Sequence, residues 1–174
     1  PAYAKYHLEN LANASFELES QVKNIIWYDP ELILTEKETP PLDKTFSSVG
    51  VATMRNHWPK NESTVFAAIK AGKAQDAHGH YDVGTFVVEA LGERWITQRG
   101  PGNYTWPSYG SKILYYMGRA EGQNTLVLNP DSGPGQIKLC ETEQTIEGGR
   151  NEAYSLCDIT AAYEGCAESV QRGI

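Results

Sequence analysis

The chain has 174 residues, enough for one domain with a sizeable core or for one domain and a piece of another. Apolar residues make up 40% and charged residues 21%, which is the balance of a globular protein and excludes a disordered or fibrous one. A formal charge of −7 without any Lys/Arg cluster argues against a general nucleic-acid binder, and no apolar run is long enough for a membrane-spanning helix.

In chain order, residues 2–28 predict a helix, with Leu8, Leu11, Leu18, Val22 and Ile25 on one stripe. Asp29-Pro30 ends it, and residues 29–45 read as a connector stiffened at Pro40-Pro41. The domain boundary is therefore drawn between residues 45 and 46. Pro1 falls inside the helical pattern and Ile174 comes without a stop signal, so the sequence reads as part of a longer chain.

From Ser47 onward the pattern is that of short strands. Val49, Val51 and Thr53 alternate with smaller residues, as do Val65, Ala67 and Ile69, with the turn-rich His57–Asn61 between them. Phe86, Val88 and Ala90 share a face, and Gly92-Glu93 predicts a hairpin into a strand through Trp95 and Thr97. Further strands are expected at Asn124–Asn129, Ile137–Leu139, Tyr154–Tyr163 and Cys166–Arg172, with a hairpin turn at Gly148-Gly149. Many short strands with turn signals between them predict a mainly β chain, an antiparallel sandwich or barrel. Open strand edges in such a chain predict edge-to-edge homo-oligomers.

The chemistry-bearing stretch is Gln75–Gly84, which holds His78, His80, Asp76 and Asp82. In extended backbone, residues two apart share a face, so His78, His80 and Asp82 are expected to project together, with Asp76 in register. Imidazoles beside carboxylates suit proton transfer or a divalent metal, and a carboxylate next to an imidazole also sets its tautomer. Cys140, Cys157 and Cys166 form an odd set without CxxC spacing, so neither a zinc knuckle nor a redox motif is indicated; one disulfide is allowed, its pair open. Tyr104, Trp106 and Tyr109 in the Gly/Pro-rich loop 100–111 are split between sugar stacking and core, whereas Tyr115 and Trp95 read as core. Arg55, Arg99 and Arg119 are candidates for pairing with carboxylates. Asn13, Asn61 and Asn103 match the short glycosylation pattern, which is common by chance.

Several segments in order resemble the heparinase II/III-like polysaccharide lyases. They are Val51–Arg55, Trp58, Lys70-Ala-Gly72, His78-Gly-His80-Tyr-Asp82 with Phe86, Gly92-Glu93, Trp95–Gly100, Gly102-Asn103-Tyr104, Gln123–Leu126 and Asp158–Tyr163. The resemblance implies an α/α-toroid, of which residues 1–45 would be the terminal helix and linker, followed by an antiparallel β-sandwich over residues 46–174, incomplete at its C-terminal end. It implies β-elimination on uronic-acid-containing, anionic polysaccharides, in the periplasm or outside the cell, with the chain's own toroid domain as partner and neither nucleic acid nor membrane. His78, with Tyr109 and then Tyr104, would be catalytic; Arg55, Trp106 and Asp82 would bind substrate. The family's metal positions map onto His80, Gln98 and Gln123. Two of the three are amides, poor zinc ligands that are better suited to hydrogen-bonding His80 without a metal. The two glutamines also leave room for a non-catalytic carbohydrate-binding or scaffold module on the same fold.

Overall fold

The computed structural model describes residues 39–74, 79–98, 116–130, 135–137, 143–148 and 152–174; within 143–148 this means the backbone and the Thr145 side chain. The chain divides between Pro41 and Leu42. The helix expected over residues 2–28 lies outside the described residues, as do Leu139 and Cys140.

Among its described residues Leu42–Ile174 is mainly β, with two antiparallel sheets. The first sheet is a meander of five strands in chain order: β1 (Lys44–Phe46), β2 (Val51–Arg55), β3 (Phe66–Lys70), β4 (Phe86–Ala90) and β5 (Glu93–Ile96). The second sheet has the order β6 (Glu143–Gly148), β7 (Ala153–Asp158), β8 (Gln171–Gly173). Short 3-10 turns cover Tyr116–Gly118, Ala120–Gly122 and Thr160–Tyr163. Among the described residues no helix is long and apolar enough to cross a membrane.

Period-2 alternation sets the faces. The row Ala52, Ile69, Phe86 runs across β2, β3 and β4, with Ala52 and Ile69 fully buried and Phe86 packed against the core. From the second sheet Cys157 enters the same core, joined by Val83, Ile159 and Tyr163. Burial of a side chain the size of Ile69 contributes about 1.5–3 kcal/mol. The inward residues of β2 are Ala52 and Met54, while Val49 is exposed. The residues in between, Ala52 and Met54, therefore face the core, and the expected Val49-Val51-Thr53 stripe does not. The close approach behind this is backbone on backbone: a Cβ on Gly50, whose φ is +62°, would stand 2.4 Å from the Gly72 nitrogen.

Several expectations need correction. Lys44 and Thr45, read as connector, are the first residues of β1 and pair with Thr53 and Ala52. Val83-Gly84 is a turn rather than strand: Thr85 N–H donates to Asp82 O at 3.1 Å, and Gly84 supplies the positive φ, +84°, that the third turn position needs. Asn124–Asn129 contains no strand. The strand expected over Tyr154–Tyr163 stops at Asp158, whose Oδ1 accepts from Thr160 N–H at 3.0 Å and opens the 3-10 turn. Those contacts with the Thr160 backbone, then with its hydroxyl, hold the Asp158 carboxyl below the ordinary range. Of Cys166–Arg172 only Gln171 and Arg172 are strand. Trp95, read as core, is 65% exposed, its indole N–H given to Ala90 O at 2.9 Å. The hairpin at Gly92 forms as expected, and β6 and β7 pair antiparallel up to Gly148 with Ala153, so that Gly148, expected in the turn, is the last residue of β6, while Gly149 lies outside the described residues.

Candidate functional site

His80 and Asp82 lie on the segment that leads from β3 into β4, before the turn at Val83-Gly84. Their extended register suggested a common face, but each takes a partner of its own. Asp82 is buried and ion-paired with Lys70, the last residue of β3. His80 Nδ1 faces Gln123 Nε2 at 3.2 Å. Tyr81 between them is 4% exposed and ties its backbone N–H to Gly118 O at 3.1 Å, which fixes the segment against the 3-10 turns. Burial raises the Tyr81 phenol above its ordinary pKa.

The Gln123 amide is oriented by two acceptors. Its Nε2 donates to Met117 O as well as to His80 Nδ1, so the nitrogen end must face both. His80 Nδ1 is therefore an acceptor, and the neutral ring carries its proton on Nε2. Gln123 Oε1 points away from these partners; it is buried and has no hydrogen-bond partner. The second amide, Gln98, donates from Nε2 to Thr85 Oγ1 at 2.8 Å.

This donor set does not fit zinc. A zinc ligand must offer a lone pair to the metal, and the Nδ1 lone pair of His80 is spent on an amide hydrogen while the nearest atom of Gln123 is a donor. The remaining positions offer neutral amides only, weak toward zinc. Among the described residues no group of three His, Cys, Asp or Glu is disposed to hold a metal.

From Asn124, next in the chain to Gln123, begins a partly buried polar network. Asn124 accepts from Phe86 N–H at 2.9 Å and from the Thr85 hydroxyl, and donates from Nδ2 to Phe86 O. Gln136 accepts Val83 N–H at 3.1 Å, and from Nε2 donates to Val83 O at 2.8 Å and to the Tyr163 hydroxyl at 2.9 Å. Tyr163 donates to Leu126 O at 2.7 Å, and Thr125 Oγ1 donates to Val83 O. Asn124, Thr125 and Gln136 thus bond to the main chain of the Val83–Phe86 stretch through their side chains.

Arg55 lies elsewhere, at the end of β2, with its guanidinium 3.7 Å from the centre of the Trp58 ring and 4.9 Å from that of Phe66. Arg119 is engaged with Glu121 through two nitrogens, the first contact 3.1 Å and the second 2.6 Å. Asn61 Oδ1 accepts from Ser63 N–H at 2.8 Å, so that side chain closes its own turn. His78, Asp76, Arg99, Tyr104, Trp106, Tyr109 and Tyr115 lie outside the described residues.

Sequence reasoning gave no role to Lys70, Thr85 or Gln136. Lys70 is the one with a readable signal, a lysine ending a strand of otherwise apolar residues. Gln136 sits in a Gly/Pro-rich stretch and gives none. No family model and no curated protein matches the chain.

Proposed function

We propose that the chain carries the β part of a polysaccharide lyase, an antiparallel sandwich of the heparinase II/III-like kind that follows an α/α-toroid. The substrates are uronic-acid-containing, anionic glycans, cleaved by β-elimination. What supports the reading is one contact: His80 of the His-Gly-His-Tyr-Asp segment meets Gln123 of the Gln-Asn-Thr segment, 43 residues away. Those are two of the segments on which the resemblance rests. In that family the corresponding positions bind a metal that braces the catalytic strand; here the Gln123 amide takes over the bracing, and no zinc is required.

Elimination needs a base for the weakly acidic C5 proton beside the uronate carboxylate and an acid for the departing glycosidic oxygen. By resemblance His78 and Tyr109, or Tyr104, share these tasks, with Trp106 against a sugar ring and Arg55 and Asp82 in binding. Asp82 acts through Lys70: the carboxylate pairs with the ammonium and holds it in place. The test is formation of unsaturated uronate, followed by its absorbance, when the full-length protein is given polyuronates. His78→Ala is expected to lower turnover by about a hundredfold or more, and unchanged turnover removes His78 from the mechanism. The second reading, a non-catalytic carbohydrate-binding module, is favoured by the two amides at metal positions. Glycan binding by the same protein with no turnover would select it.

A further inference from the structure

A cavity of about 440 Å³ is lined from both sheets. From the first sheet come Met54 and Ala67, register partners on the core side of β2 and β3. Lys44 pairs with Thr53, so Asp43, one residue before β1, falls opposite Met54 and prolongs that row. From the second sheet come Ala153 and Ile174. Ala153 shares its face of β7 with the buried Ser155 and Cys157. Ile174 exchanges both backbone hydrogen bonds with Ser155, at 3.0 and 3.1 Å. The space follows from the residue types, since Ala67 and Ala153 carry only a methyl group where longer side chains would fill it. Two carboxylates join this apolar lining, half-buried Asp43 in the wall and exposed Glu152 at the rim. Among the described residues neither enters an ion pair, and Asp43 Oδ1 is buried without a hydrogen-bond partner. The other polar side chains there are committed. Asn56 accepts from Val65 N–H at 2.9 Å and donates to Ser63 O at 3.0 Å. Arg55 reaches the cavity but shares the opposite face of β2 and β3 with Phe66, and its guanidinium lies over the Trp58 and Phe66 rings.

We propose that this cavity binds a small organic cation, an ammonium or amidinium group carried on an apolar body. A half-buried carboxylate without a counter-charge is costly. A cation held by Asp43, with Glu152 at the rim, supplies the counter-charge and charge-assisted hydrogen bonds. Met54, Ala153 and Ile174 cover its hydrocarbon. A bare divalent ion is disfavoured, because it needs a full shell of oxygen ligands and most of this lining is apolar. A polyuronate is repelled by the same two carboxylates, so the site is separate from any that cleaves one, and the proposal does not depend on the lyase reading.

Calorimetric titration of the full-length protein at neutral pH with phenylbutylamine, phenylbutanol and phenylbutyrate tests this. The three probes share one apolar body and differ in charge. The amine is expected to bind about tenfold more tightly than the alcohol, and the acid not at all. Asp43→Asn with Glu152→Gln keeps the shape of both side chains and removes their charge. In that variant the amine is expected to lose its advantage, so that amine and alcohol bind alike. Ala153→Leu fills the space with apolar atoms and is expected to abolish binding of the amine, an unchanged melting temperature checking the fold of each variant. Equal binding of amine and alcohol by the wild-type protein overturns the cationic ligand. Amine binding that the double variant keeps, or that Ala153→Leu leaves untouched, overturns the location. No binding of the amine overturns the proposal and leaves the lyase reading to be judged on turnover alone.

Discussion

Two parts of the same β unit are tied together by different kinds of hydrogen bond. Around β2, β3 and β4 the backbones pair directly, from Arg55 with Phe66 through to Ile69 with Phe86. From Val83 to Phe86, side chains of Asn124, Thr125 and Gln136 bond to the main chain, in addition to the backbone bonds that Gly84 and Thr85 make with Lys70. The difference matters because a ladder tolerates most outward-facing substitutions, whereas a side-chain network depends on the identity of each member. The segment that holds His80 is thus fixed by a few specific residues.

The largest effect expected from breaking this contrast is at Gln136. Gln136→Ala strips the Val83 N–H of its side-chain partner, leaves Val83 O with Thr125 alone, and removes the amide donor to the Tyr163 hydroxyl. Chemical denaturation should report a loss of about 2–4 kcal/mol. A loss below about 0.5 kcal/mol would mean that water replaces the amide and that the network is not specific.

A smaller effect belongs to the ladder region's outer face. Glu89 has its pKa lowered chiefly by the hydrogen bonds from Lys60 and Arg94, against some desolvation. Because its folded value lies below the unfolded one, its contribution is complete above the unfolded pKa and disappears as pH falls through the folded one. Glu89→Gln should therefore destabilise by about 0.2–1 kcal/mol at neutral pH, and the deficit should close on acidification below the normal carboxylate range. A deficit that stays constant with pH would assign the effect to packing.

Of similar size is the effect at the tip of the β4–β5 hairpin. Leu91 and Gly92 both have positive φ, 55° and 78°, as a two-residue hairpin turn of the mirror-image kind requires, and Leu91 is 75% exposed. Leu91→Asn should raise stability by about 0.5–1 kcal/mol with no change in the His80 region. A fall in stability would mean that the leucine side chain packs against something it needs.

What could be read in advance follows the same division. The hairpin at Gly92 and strands β2 to β4 carry alternation and turn residues that main-chain pairing makes legible. Leu126 and Leu128 alternate in the same way, so Asn124–Asn129 looked like strand, but its pairing runs through Asn124 and Thr125 side chains that no period encodes. β1 was illegible because three residues, Lys44-Thr45-Phe46, are too short a run to show a period. Asp158 ended a strand that composition extended to Tyr163, since capping by its carboxylate is decided by the fold. At the site, the meeting of His80 with Gln123 was legible only through the order of resembling segments. The engagement of Asp82 by Lys70 was not legible at all, because their 12-residue separation carries no pattern.

The most direct test of the account is nitrogen NMR of the His80 imidazole in the folded protein, with and without stoichiometric Zn²⁺. A ring whose Nδ1 accepts from the Gln123 amide carries its proton on Nε2 at neutral pH, and its nitrogen shifts should not respond to the metal. A proton on Nδ1, or a Zn²⁺-dependent shift of either nitrogen, would contradict the metal-free brace on which the site is built.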